Sequence, residues 1–174
     1  MGVEVSTSWS WEVATDVEEI HSLLCACDAY TATLEAPPPV RNIETTRRRV
    51  QSGSVHLLRF GASAVAMFTL TWEAPFTRQT TLFPPAKKPA YMGRLAVQPE
   101  WLAKGSIASA QCIRKAMELA GGAGADAIRL EANPDLTRIR TLLGLFGFEE
   151  YGRTQSEDGR RQVYMQKSLE PDRG

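Results

Sequence analysis

The chain has 174 residues, 43% of them hydrophobic and 23% charged, enough apolar material to bury a core without help from metals or disulfides. Twenty Lys and Arg balance 20 Asp and Glu, so no general attraction to nucleic acid or to an anionic membrane is expected. No apolar run approaches the roughly 18 residues of a membrane span, and no basic stretch followed by an apolar one opens the chain; neither a membrane segment nor a secretory signal is expected, and a cytoplasmic location follows.

Trp9, Trp11 and Val13 alternate with Ser10 and Glu12, the period of a half-buried strand. Thr15-Asp16-Val17-Glu18 reads as a capping box, in which the Thr hydroxyl and the Glu carboxylate each satisfy a free amide. The helix that follows buries Val17, Ile20, Leu24 and Cys27. His21, Cys25 and Cys27 lie close together, which leaves metal binding and core packing as readings. The only other histidine is His56 and no fourth ligand is near, so packing is favoured and no metal is expected. Three cysteines are an odd count, unsuited to a disulfide framework.

Ala36-Pro37-Pro38-Pro39 stops that helix. Asn42 can cap a second one through about Gln51, carrying Arg47-Arg48-Arg49, read as a solvated face; Gly53 ends it. Residues 55–60 and 65–72 read as a hairpin around Gly61-Ala62-Ser63. Residues 75–89 are rich in Pro and Thr, and a loop of that length in a compact domain is often functional. Residues 90–97 read as a strand, with Gly93 marking a bulge.

A turn at Gln98-Pro99-Glu100 and Gly105 lead into a helix with Ile107, Ala110, Ile113, Met117 and Ala120 as its apolar stripe, ended by Gly121-Gly122. Residues 127–132 form a short buried-type strand. Asn133 can cap a further helix with Pro134 at its first position, burying Leu136, Ile139, Leu143 and Phe146 and ending at Gly147. Residues 149–153 and 161–168 form a last strand pair. The order is β-α-α-β-β-β-α-β-α-β-β, an α/β fold with one mixed sheet, as a single domain over residues 1–169 and a frayed tail at 170–174.

The most informative stretch is Leu95-Ala96-Val97-Gln98-Pro99-Glu100 followed by Ala103-Lys104-Gly105. A strand, a small loop and a helix in that order present free backbone amides at the positive end of the helix, an arrangement that binds phosphate, and Lys104 adds a cation. A plain strand–helix connection is the competing reading. Together with Leu130-Glu131-Ala132-Asn133-Pro134-Asp135 and Gly147-Phe148-Glu149-Glu150, these pieces follow one another along about 60 residues in the order and spacing of the coenzyme A-binding half of GNAT acyltransferases, and the chain resembles that superfamily.

The resemblance implies an N-acyltransferase that moves an acetyl or related acyl group from a coenzyme A thioester, with acetyl-CoA or a related acyl-CoA as co-substrate, to an amine of a small molecule or peptide. It implies that Leu95, Ala96 and Val97 offer backbone groups to the pantetheine arm. It further implies that Ala103, Lys104, Gly105, Ser106, Ile107 and Ala108 wrap the pyrophosphate, and that an amide near Val97 stabilises the oxyanion. Candidate bases are Glu73, Tyr91 and Glu131. GNAT proteins are often dimers, so a homodimer is compatible. Four positions depart from the family pattern. Leu102 stands for a basic residue or Gln, Ile107 for the second loop Gly, Leu136 for an Asn, and Leu143 for the Tyr that often protonates the thiolate. Leucine has no proton to transfer, and these departures raise the alternative of a GNAT-fold binding module without catalysis.

Overall fold

The computed structural model describes residues 8–32, 38–74, 82–155 and 161–170. The elements come in the predicted order: β1 (Trp9–Val13), α1 (Val17–Thr31), α2 (Ile43–Gln51), β2 (Val55–Phe60), β3 (Ser63–Thr71), β4 (Pro89–Val97), α3 (Pro99–Leu102), α4 (Ile107–Gly122), β5 (Ala127–Ala132), α5 (Thr137–Leu145), β6 (Glu149–Gln155) and β7 (Arg161–Ser168). The short α3 is the one addition, where the sequence reads as a turn. The strands form a seven-stranded sheet in the order β1-β2-β3-β4-β5-β7-β6. It is mixed, as expected: β4 and β5 run parallel, while β1–β2, β2–β3, β5–β7 and β6–β7 are antiparallel. Among the described residues, no helix is long and apolar enough to cross a membrane. The chain groups into two compact units, residues 1–69 with 94–112, and residues 70–93 with 113–174.

In the first unit, Ile20, Leu23 and Leu24 of α1 pack with Val50 of α2, Val55 and Leu57 of β2, Met67 of β3 and Ala96 of β4. Burying each of the larger side chains is worth about 1.5–3 kcal/mol, which holds both helices on the strands. The cap of α1 is Asp16 rather than Thr15, its Oδ1 accepting from the Glu19 amide at 3.2 Å. Asn42 caps α2 as expected, accepting from the Glu44 amide at 2.9 Å. The His21–Cys25–Cys27 segment divides: His21 Nδ1 lies 3.2 Å from Thr46 Oγ1, Cys25 is exposed and Cys27 packs against the core. Among the described residues, no three metal-ligating side chains come together.

In the second unit, Ala127, Ile128 and Leu130 of β5 and Val163, Tyr164 and Met165 of β7 are buried. The α5 helix starts at Thr137, later than Asn133-Pro134 suggests. Asn133 Oδ1 instead accepts from the Asp135 amide at 2.9 Å, and its carbonyl accepts from the Leu136 amide at 3.1 Å. A side chain that closes a local turn competes with the helix, and here the turn wins. The buried face of α4 is Ala108, Cys112, Ile113, Ala116 and Ala120, a stripe rotated from the expected one, and Ile107 is 55% exposed.

Candidate functional site

The parallel pairing of β4 with β5 runs through Pro89↔Ala127, Ala90↔Ile128 and Tyr91↔Arg129, while β4 itself continues to Val97. The irregularity expected at Gly93 falls one residue later, at Arg94, whose φ of 50° is left-handed. Left-handed backbone in a non-glycine residue is uncommon and stores strain, a feature that concentrates at functional sites. Leu95 is half-buried and Ala96 and Val97 are buried. The Gln98 amide then donates to the Val65 carbonyl at 2.8 Å, fixing the end of the strand.

The loop after α3 divides its amides into two sets. Those of Ala103, Lys104 and Gly105 donate to the carbonyls of Pro99, Trp101 and Leu102 at 3.0, 3.2 and 3.2 Å, so they are already occupied. Gly105 then reverses the chain with φ 120°. Among the described residues, the amides of Ser106, Ile107, Ala108 and Ser109 have no backbone acceptor, and the helical ladder begins with the Ala110 amide donating to the Ser106 carbonyl at 2.9 Å. Four free amides at the start of a 16-residue helix make an anion-binding terminus. The free set therefore begins three residues later in the loop than the sequence suggests. Lys104 Nζ lies 4.5 Å over the ring of Trp101, which meets Trp9 at 4.9 Å and Phe60 at 5.5 Å between ring centres.

Burial pushes the Cys27 thiol of α1 up from its ordinary range.

The three candidate bases differ sharply. Tyr91 is 5% exposed, and its hydroxyl accepts from Arg129 Nη1 at 3.0 Å. Arg129 is itself buried, donating also to Gln166 Oε1 at 2.8 Å and the Pro84 carbonyl at 2.8 Å, with its guanidinium 4.8 Å from the Phe83 ring centre. Tyr91 therefore sits inside a packed polar network. Glu73 is exposed, and its carbonyl accepts from Thr71 Oγ1 at 3.0 Å. Glu131, paired with Tyr164 in the β5–β7 register, retains contact with solvent, yet desolvation by surrounding protein raises its carboxyl above the ordinary range. Glu131 combines access with a pKa moved toward neutrality.

No protein-family model and no curated protein matches the chain. Solved structures do. A chain of the NatC complex bound to Gag peptide and CoA superposes with a TM-score of 0.68 at 14% identity, covering 93% of this chain and 99% of that one. The ribosomal-protein-S18-alanine N-acetyltransferase from Escherichia coli gives 0.67 at 13% identity, covering 96% and 99%. A GNAT-family acetyltransferase from Listeria monocytogenes gives 0.66 at 20% identity, covering 92% and 95%. This chain has the GNAT fold.

Within that GNAT fold the four departures take different positions. Leu143 is 2% exposed and belongs to the core, whereas Ile107 and Leu136 are 55% and 37% exposed and Leu102 is half-buried. Sequence reading passed over Arg94 and Arg129. Arg94 is the lone charge inside the otherwise apolar strand Pro89–Val97, and Arg129 shares Ala127–Ala132 with the charge of Glu131; those interruptions were the available signal.

Proposed function

We propose that this chain is an N-acyltransferase that transfers an acetyl or related acyl group from a coenzyme A thioester to an amine of a small molecule or peptide. The observation that carries the reading is the set of four amides at residues 106–109 with no backbone acceptor among the described residues, directly after Gly105 and one loop beyond β4. In this reading they receive the pyrophosphate, with Lys104 contributing charge from its seat on Trp101. Backbone groups of residues 95–97 run beside the pantetheine arm. The Val97 amide donates to the thioester oxygen as negative charge develops there. The amine nitrogen attacks the carbonyl carbon, the C–S bond breaks, and the nitrogen's proton passes to Glu131 directly or through water. The thiolate leaves unassisted by α5 and takes a proton from solvent. A thiol with a pKa of roughly 8.5 is a tolerable leaving group on those terms.

A second reading, a coenzyme A-type binding module without transfer, is favoured by Leu143, because a buried leucine stands where GNAT proteins often place an acid. Two measurements separate the readings. Calorimetry with acetyl-CoA reports binding, and thiol release in the presence of a panel of amines reports transfer. Binding with acceptor-dependent thiol release supports the enzyme; binding without release across the panel supports the module; no binding removes both.

A further inference from the structure

Lys104 is the only basic residue from 98 to 113, and the fold gives it a fixed seat. Its amide donates to the Trp101 carbonyl at 3.2 Å, and its Nζ lies over the Trp101 indole, 4.5 Å from the ring centre. The indole is itself held. Its ring meets Trp9 at 4.9 Å and Phe60 at 5.5 Å, both close to edge-on. Trp9 and Phe60, paired across β1 and β2, meet each other at 4.9 Å. Glu100 stands four positions before Lys104, yet no carboxylate among the described residues pairs with the ammonium. An exposed lysine seated on a ring rather than on a carboxylate keeps its charge uncompensated.

Ser109 gives an independent sign at the start of α4. It is 7% exposed, and its hydroxyl has no hydrogen-bond partner among the described residues. No buried side-chain nitrogen or oxygen among those residues lacks a partner, so the hydroxyl is the part of Ser109 left open to solvent. In a helix the Cα–Cβ bond tilts toward the N-terminus. This first-turn hydroxyl is therefore directed toward the helix end where the amides of residues 106–109 have no backbone acceptor among the described residues. A hydroxyl, four amides and a cation in one loop suit the oxygens of a diphosphate. A solvated lysine loses rotamer freedom when it closes on an anion, and one already seated on a ring loses less, which is the advantage of preorganisation.

We propose that Trp101 is a positioning residue, whose ring fixes the ammonium of Lys104 for a diphosphate held by the amides of residues 106–109 and the Ser109 hydroxyl. That this diphosphate belongs to an acyl-CoA rests on the acyl-transfer reading; the role of Trp101 does not.

The test measures binding of inorganic pyrophosphate and, separately, of acetyl-CoA to the full chain at low salt by calorimetry. Pyrophosphate should bind. Trp101→Leu, which keeps bulk but removes the aromatic face, should weaken that binding by about two- to tenfold, and Trp101→Phe should recover most of the loss. Lys104→Ala should weaken it about as much as Trp101→Leu, and the double variant no more than Lys104→Ala alone, because Trp101 acts through the ammonium. Ser109→Ala should weaken it as well. Failure of pyrophosphate to bind, affinity unmoved by Ser109→Ala, or additive losses from Trp101→Leu and Lys104→Ala overturns the proposal. Proton NMR of the wild type examines the seat without any change at Trp101. The Lys104 ε-methylene protons, assigned by their loss in Lys104→Ala, should be shielded by the indole, and an ordinary lysine shift overturns the seat. Acetyl-CoA that binds without coupling between Trp101 and Lys104 sinks this role and leaves the acyl-transfer reading standing. Pyrophosphate binding with the coupling intact and no acetyl-CoA binding does the reverse.

Discussion

Replacing Gly105 by Ala tests whether the phosphate cradle depends on backbone geometry rather than on side chains. An ideal Cβ at Gly105 meets nothing within 4 Å, so no clash contributes, and the cost comes from holding φ at 120°. Backbone states of that kind cost a non-glycine residue about 1–3 kcal/mol. For a chain of this size each kcal/mol moves Tm by about 2–4 °C, so Gly105→Ala should lower Tm by about 2–12 °C. Gly121 of α4 provides the control. Its Cβ would also meet nothing within 4 Å, but its backbone is helical, so Gly121→Ala should stabilise by about 0.4–1 kcal/mol. The same substitution is thus expected to act with opposite signs at two open positions, measured by thermal and urea unfolding. Acetyl-CoA calorimetry adds the functional arm: turning residue 105 re-aims the amides of residues 106–109, and affinity should fall with stability. Equal stability of Gly105→Ala and wild type would refute the backbone argument. A destabilised variant with unchanged affinity would detach the loop from the cofactor.

Leu143→Ala should cost about 2–5 kcal/mol by urea unfolding, as expected for a leucine 2% exposed, and Leu143→Tyr about 1–3 kcal/mol by overpacking; a gain in transfer rate in the Tyr variant without loss of stability would show that the position opens on the site. Because the Glu131 carboxyl is raised, its base form is lost as pH falls through a value above the ordinary glutamate range; kcat/KM should show that acid limb, and Glu131→Gln should abolish it with a loss of about 10²–10⁴-fold, whereas an unchanged profile removes Glu131 as the base. The same shift makes the folded state bind its proton more tightly than the unfolded one, so stability falls as pH rises above the unfolded value, and Glu131→Gln should flatten that fall in a pH series of unfolding curves. Iodoacetamide at neutral pH should label exposed Cys25 first and Cys27, its thiol raised by burial, more slowly, with buried Cys112 reacting only after denaturation; mass spectrometry after timed quenching reads the order, and early labelling of Cys112 would contradict the packing of α4.

The elements were legible because each announces itself locally. Alternation at Trp9–Val13, helical spacing from Val17 through Leu24, and glycines after α2 and α5 are short-range signals that survive without knowledge of neighbours. Competition between equally plausible local choices was harder to read. Thr15 and Asp16 can both cap α1, and Asn133 can either cap a helix or close a turn; neighbouring packing and backbone settle such ties at a cost of about 1 kcal/mol or less. Ile107 looked like the first residue of an apolar stripe, but a rotation of α4 places Ala108 inward and Ile107 outward.

By itself, the sequence determined the order of elements, the mixed α/β architecture and the strand–loop–helix junction around Gly105. All three follow from propensities and spacings within a few residues. The tertiary structure decided which amides of that junction are free, because α3 turns back and consumes those of residues 103–105. It also decided that Tyr91 is bound to Arg129 while Glu131 keeps solvent, and that Arg41 closes on Asp28, 13 positions away, with two hydrogen bonds. Charge, desolvation and hydrogen bonding work over a few ångströms of space, and chain position says little about those distances until the helices have packed on the sheet.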